Sequence, residues 1–135
     1  MITIHTDAAF SEGKAGYAVI IHDGPYLRCE LQGKLNDMQD CYMAELAALI
    51  KALEHDRFKE PILIYSDCRT LVSQVRSLLK GNEVKVLEQH AALWDHLNRL
   101  LSNQNKVYIY WEKGHSSINW NHMCDQRAKH AAYSN

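Results

Sequence analysis

The chain has 135 residues, of which 47% are hydrophobic and 23% charged, with 15 lysines and arginines against 16 acids and a formal net charge of −1. That composition is close to the soluble globular average and excludes disordered, collagen-like and rod-like chains. The near balance of charge excludes crude electrostatic adhesion to nucleic acid or membrane as its main activity, though not a local basic patch or contact through metal ions. The longest apolar stretches are broken by Glu45, Lys51 and Asp67, too early to cross a bilayer. Residues 1–7 lack the basic start and apolar core of a signal peptide. The expectation is one cytoplasmic domain covering residues 1–135, acting as a monomer away from membranes.

Ile2, Ile4 and Thr6 alternate with Thr3, His5 and Asp7, which predicts a first strand ending at an aspartate. Gly13 and Gly16 are expected to flank a turn, followed by a second strand over residues 17–21. Asp23-Gly-Pro25 is a strong turn signal, and Tyr26 to about Lys34 reads as a third strand. Two short turns in succession make an antiparallel meander.

The pattern then changes. Leu46, Leu49, Ile50 and Leu53 have the spacing of an amphipathic helix, predicted from about Cys41 to His55. Residues 62–66 are nearly continuous apolar chain, as in a strand buried on both faces, and Asp67 follows. Leu71, Val72, Val75, Leu78 and Leu79 mark a second helix; Leu87, Ala91, Trp94, Leu97 and Leu101 mark a third. Residues 107–111 predict a fifth strand, with Trp94 and Trp111 in the core. A loop and a last helix with Met123, Ala128, Ala131 and Ala132 follow. A meander followed by βα units predicts an α/β fold, a five-stranded mixed sheet packed by helices. If the strand before Asp67 lies beside the first, Asp7 and Asp67 meet at the sheet edge where ligands bind.

The four cysteines, Cys29, Cys41, Cys68 and Cys124, form no Cys-x-x-Cys pair and are expected as reduced thiols. Four acids matter more: Asp7, Glu45, Asp67 and Asp125. Singly, each has a structural explanation. Asp67 could cap the helix after it, and Glu45 and Asp125 could favour a helix dipole. Together, converging carboxylates repel unless something compensates, and hard divalent cations prefer such oxygen ligands. Two such ions roughly 4 Å apart suit phosphoryl transfer. The chain contains no Gly-x-Ser-x-Gly motif and no phosphate-binding glycine loop.

At these residues the sequence resembles type 1 ribonuclease H over nearly its whole length. Ile4-His-Thr-Asp7 is similar to the first strand and first catalytic aspartate of that family. Met43-Ala-Glu45 is similar to the helix of the catalytic glutamate, and Ile64-Tyr-Ser-Asp67 to the strand of the second aspartate. Trp111-Glu-Lys-Gly-His115 and Asn121-His-Met-Cys-Asp125 are similar to the histidine loop and the last aspartate. The resemblance implies a ribonuclease H-like fold. It also implies cleavage of the RNA strand of an RNA–DNA hybrid by two Mg²⁺ or Mn²⁺ ions held by Asp7, Glu45, Asp67 and Asp125. Asp7 would bridge the ions, Glu45 would lie by the 2′-hydroxyl that marks RNA, and His115 would assist proton movement or product release. Arg69, Trp120 and Asn121 are candidate substrate-binding residues.

The chain departs from the family pattern at several positions. Cys41 and Tyr42 stand where the family commonly has two asparagines, Ala8 where it has glycine, and Arg69 where a glutamine often contacts nucleic acid. Residues 79–84 lead almost directly into the tryptophan-containing helix, so the basic protrusion of many bacterial relatives is missing. Residues 69–85 carry a net +3, residues 106–135 a net +2 and the first 40 residues a net −3. A phosphate track and a solvated helix face both account for the first cluster. The departures keep open a second reading, a nucleic-acid-binding protein with weak or no turnover, and a third, a nuclease for another substrate such as structured DNA. If two Mg²⁺ ions bind, the formal charge rises from −1 to +3, so binding should depend on divalent metal.

Overall fold

The computed structural model describes residues 1–55, 57–112 and 119–134, with the side chains of Asn119 and Asn121 outside that description. The strands are β1 (Ile2–Ser11), β2 (Lys14–Asp23), β3 (Tyr26–Leu35), β4 (Ile62–Ser66) and β5 (Val107–Trp111). The helices are α1 (Cys41–His55), α2 (Arg69–Leu79), α3 (Ala91–Ser102) and α4 (Asn119–Tyr133), with a 3-10 turn at Glu88–His90 leading into α3. No helix among the described residues is long and apolar enough to cross a membrane.

The first hairpin is longer than the polar–apolar alternation suggests. Glu12 and Gly13 both adopt positive φ, 53° and 76°, the two-residue turn whose twist matches that of its strands. With that turn in place, pairing runs without a break from Ile2↔Asp23 to Ser11↔Lys14. Asp7 is therefore inside β1 and not at its end, and Gly16 is a strand residue and not part of a turn.

The sheet order is β3-β2-β1-β4-β5. The first three strands pair antiparallel; β1–β4 and β4–β5 pair parallel. This mixed sheet matches the one expected from the sequence. Alternation along each strand sorts side chains to two faces. Ile2, Ile4, Val19, Ile21, Ile62 and Ile64 pack with Leu46, Leu49, Val75 and Leu97, so α1, α2 and α3 cover one face. Ala18 and Ile20 point the other way and pack against Cys124 and Ala128 of α4. Each fully buried isoleucine or leucine in this core is worth about 1.5–3 kcal/mol relative to an exposed one.

Gly16 lets α4 approach. A Cβ there would collide with the α4 backbone at Ala128, Ala131 and Ala132. Arg127 adds a 3.0 Å ion pair to Glu30 of β3. At the other face, Asp40 starts α1. Its Oδ1 accepts the Met43 N–H at 2.7 Å, while its Oδ2 faces Gln89 Nε2 and His90 Nε2, each at 2.9 Å. Desolvation works against the Asp40 charge, but the Met43 N–H, His90 and Gln89 hold the carboxyl below its ordinary value.

Two expectations about apolar residues do not hold. Trp111 is 40% exposed, because it ends the edge strand β5, while Trp94 is in the core as expected. Leu87 precedes α3, is not part of it, and is 63% exposed.

Candidate active site

The parallel β1–β4 ladder stops at His5↔Tyr65, whereas β1 continues beside β2 with Asp7 opposite Ala18. Asp67 directly follows the last residue of β4. Asp7 and Asp67 thus emerge together where β4 gives out. Glu45 comes from the second turn of α1, because no acid lies in the first turn, and the dipole explanation of its position lapses. Nor does the capping explanation describe Asp67, since Cys68 holds the N-cap position of α2. One carboxylate oxygen each from Asp7, Glu45 and Asp67 lies within 4.8 Å of the others. Asp125, on α4 at the opposite face of the sheet, lies close enough for its charge to act on Asp7. Its Oδ2 is 3.1 Å from Lys129 Nζ, one helical turn on.

The backbone holds these acids in place. The Ala8 N–H donates to Asp7 Oδ1 at 2.8 Å and to Glu45 Oε1 at 3.3 Å. The Trp111 indole N–H donates to the Asp67 carbonyl oxygen at 3.0 Å. The single Ala8 N–H shared by two carboxylates cannot neutralise this much negative charge. Burial, with the charges of Asp67 and Asp125, pushes the Asp7 carboxyl up to about 8. Burial, with Asp7 and Asp67, pushes Glu45 well above the usual carboxylate range. Glu45 Oε2 is sealed from solvent with no hydrogen-bond partner among the described residues. An orphaned carboxylate oxygen among crowded acids is a poor arrangement for protons alone and a good one for a hard divalent cation. The donor set of oxygens, with no thiolate or imidazole among the three, fits Mg²⁺ or Mn²⁺.

A groove of about 830 Å³ opens beside the acids, with Asp40, Tyr42, Glu45, Asp67, Lys85 and His90 in its walls. Tyr42 donates its hydroxyl hydrogen to Gln74 Oε1 and tilts its ring on His90, centroids 4.6 Å apart. Cys41 and Cys68 also line the groove, and all four cysteines are free thiols. Burial raises both Cys68 and Cys124. Cys124 directs its Sγ to the carbonyls of His5 and Ala18, at 3.4 and 3.3 Å.

Among the candidate substrate residues, Arg69 starts α2 with its guanidinium 4.1 Å from the Trp111 ring centroid. Trp120 stacks on His22, centroids 4.7 Å apart, and is only partly exposed. Asn121 belongs to α4. His115 lies outside the described residues.

Sequence reasoning missed a buried polar chain beside this site. His5 Nε2 and His22 Nε2 are 3.0 Å apart, His22 Nδ1 is 2.9 Å from the Gly24 carbonyl, and His5 Nδ1 is 3.4 Å from Glu112 Oε2. Its one sequence signal is a histidine at inward-facing strand positions where an aliphatic side chain would be ordinary.

The RNase H family model matches residues 1–133. A ribonuclease H from Ruthia magnifica subsp. Calyptogena magnifica is 31% identical, over 94% of this chain and 92% of the relative. One from Acetivibrio thermocellus is 34% identical, over 94% and 91%. Among solved structures, LC11-RNase H1 in complex with RNA/DNA hybrid superposes with a TM-score of 0.78 at 18% identity, covering 98% of this chain and 96% of that one. RNase H1 from Halobacterium salinarum NRC-1 gives 0.74 at 19% identity, covering 96% of each chain.

Proposed function

The chain belongs to the RNase H family, and from that premise we propose that it is a metal-dependent endonuclease hydrolysing the RNA strand of RNA–DNA hybrids, one monomeric domain that uses two Mg²⁺ or Mn²⁺ ions. The observation that carries this reading is the convergence of Asp7, Glu45 and Asp67 within 4.8 Å, with the Asp125 charge acting on Asp7.

Asp7, Glu45, Asp67 and Asp125 would hold the ions, with Asp7 central because it shares a donor with Glu45 and feels the charges of Asp67 and Asp125. When bound, the ions supply Lewis acidity that activates water and stabilises the leaving oxygen of a phosphodiester. The protein supplies position. The shared Ala8 N–H holds Asp7 and Glu45 at one point, and the Trp111 indole holds the Asp67 backbone. Lys129 pairs with the Asp125 carboxylate. Glu45 faces the groove, where a ribose 2′-hydroxyl can reach it. His115 is assigned proton movement or product release, a role suited to histidine side chains in general. Arg69, Trp120 and Asn121 remain substrate-contact candidates.

Cleavage of an end-labelled RNA–DNA hybrid, with Mg²⁺ and with Mn²⁺, tests the proposal. Asp7→Asn should lower turnover by at least about 100-fold, consistent with loss of several kcal/mol of transition-state stabilisation. Cleavage unchanged in that variant would overturn the mechanism. One observation favours binding with weak turnover: Tyr42 is committed to Gln74 and His90, so the groove wall differs from one built of two asparagines. Tight hybrid binding without cleavage under either metal would favour that reading.

A further inference from the structure

Arg69 and Arg76 of α2 and Lys80 at its C-cap form a cationic patch. Arg69, Ser73, Arg76, Ser77 and Lys80 recur at offsets of 4, 7, 8 and 11 residues, which puts them on one helical stripe. The stripe is about 16 Å long at the α-helical rise. Together with Trp111 these five residues line a concavity of about 410 Å³ on the β5 side of the acids. The large groove lies on the α1 side and takes Lys85 instead. None of the described residues lining the concavity is acidic. Among the described residues no carboxylate pairs with Arg69, Arg76 or Lys80, although Arg28, Arg127 and Lys129 each find one.

The two guanidiniums are also held in position. Arg69 lies over the Trp111 ring at 4.1 Å, and Arg76 over the Tyr110 ring at 4.9 Å. Arg76 Nε donates to the Ile109 carbonyl at 2.9 Å, which leaves its terminal nitrogens for another acceptor. Trp111 is the wall shared with the acidic site, since its indole is bonded to Asp67. Three cations without acidic partners, hydroxyl donors between them and a fixed aromatic wall are the chemistry of a phosphate-binding surface.

We propose that this concavity is a backbone-phosphate site for the nucleic-acid strand leaving the acids on the β5 side, and that it takes the place of the missing basic protrusion. The proposal rests on the hybrid-cleaving reading for its ligand. The competing explanation is that Arg76 and Lys80 only complement the C-terminal dipole of α2, in which case their loss lowers stability and leaves affinity alone.

The test is fluorescence anisotropy with a labelled RNA–DNA hybrid across a salt series, run beside the cleavage assay and thermal melting. The variants are Arg69→Gln, Arg76→Lys, Lys80→Gln and Ser73→Glu, with Lys34→Gln on β3 as control. Arg69→Gln and Lys80→Gln should each weaken binding roughly three- to tenfold and reduce the salt slope by about one. Ser73→Glu should weaken it further, Arg76→Lys should keep most of the affinity, and Lys34→Gln should match wild type. KM should rise with little change in kcat. Wild-type affinity and salt slope in Arg69→Gln, Lys80→Gln and Ser73→Glu would overturn the phosphate site, whatever the wild-type cleavage rate. Wild-type binding without cleavage would instead count against the nuclease reading, with the same variants still deciding the site. A wild type that neither binds nor cleaves the hybrid would overturn both.

Discussion

Asp7 and Glu45 accept a hydrogen from the same donor, the Ala8 N–H, at 2.8 and 3.3 Å. One N–H cannot offset two buried carboxylates, and the Asp7 carboxyl is pushed up to about 8 by burial and by the charges of Asp67 and Asp125. The folded protein therefore holds a proton on this centre that the unfolded chain releases near pH 4. Its stabilising effect is fully present below the unfolded value and is lost as pH rises through the folded one. With metal removed by EDTA, the melting temperature should fall between about pH 5 and pH 8. Asp7→Asn should melt higher than wild type at pH 8, the difference closing toward pH 5. Mg²⁺ or Mn²⁺ should raise the wild-type melting temperature at pH 8 and leave that of the variant nearly unmoved. A pH-independent wild-type melting temperature would contradict this account.

Trp111→Phe should separate packing from positioning. The variant keeps an aromatic wall for Arg69 but loses the 3.0 Å bond to the Asp67 carbonyl. Stability should drop by about 0.5–1.5 kcal/mol. Turnover should fall severalfold while hybrid affinity changes little, read from single-turnover rates and anisotropy.

Gly16→Ala should be among the most damaging small substitutions. The added methyl meets the α4 backbone, 2.6 Å from the Ala128 carbonyl oxygen, and backbone cannot step aside as a side-chain tip can. The cost should be about 1–3 kcal/mol or more, measured by denaturant melts. Because α4 carries Asp125, the Mg²⁺-induced rise in melting temperature should shrink as well.

The buried histidine pair yields a double-mutant test. With the His22 Nδ1 hydrogen given to the Gly24 carbonyl, His22 Nε2 accepts from His5 Nε2, 3.0 Å away. His22→Phe orphans that donor and should cost about 1–3 kcal/mol. Replacing both histidines by phenylalanine removes donor and acceptor together and should cost less than the sum of the single changes. Additive losses in urea melts would show that the two rings do not depend on each other.

Most of the element order was legible because periodicity is a local property. The α1 stripe placed its helix at Cys41–His55, and the apolar run placed β4. The sequence pattern misplaces Trp111 and Leu87 because hydrophobicity does not report where a sheet ends or which residue precedes a helix; only the edge position of β5 and the 3-10 turn do. The far end of β1 was hidden for a different reason. Residues 8–11 have no alternation, and the positive φ pair at Glu12 and Gly13 decides how far the hairpin extends.

The sequence by itself determined the mixed α/β sheet, the order of its elements and the four acids, since residue type and short-range spacing carry that information. Tertiary structure alone decided what those acids become. β1 outruns β4, so Asp7 and Asp67 emerge side by side. Gly16 lets α4 come close from the opposite face, so Asp125 can reach Asp7. Their charges matter to one another only because folding brings them together in a partly buried site, where repulsion is strong enough to require a proton or a cation.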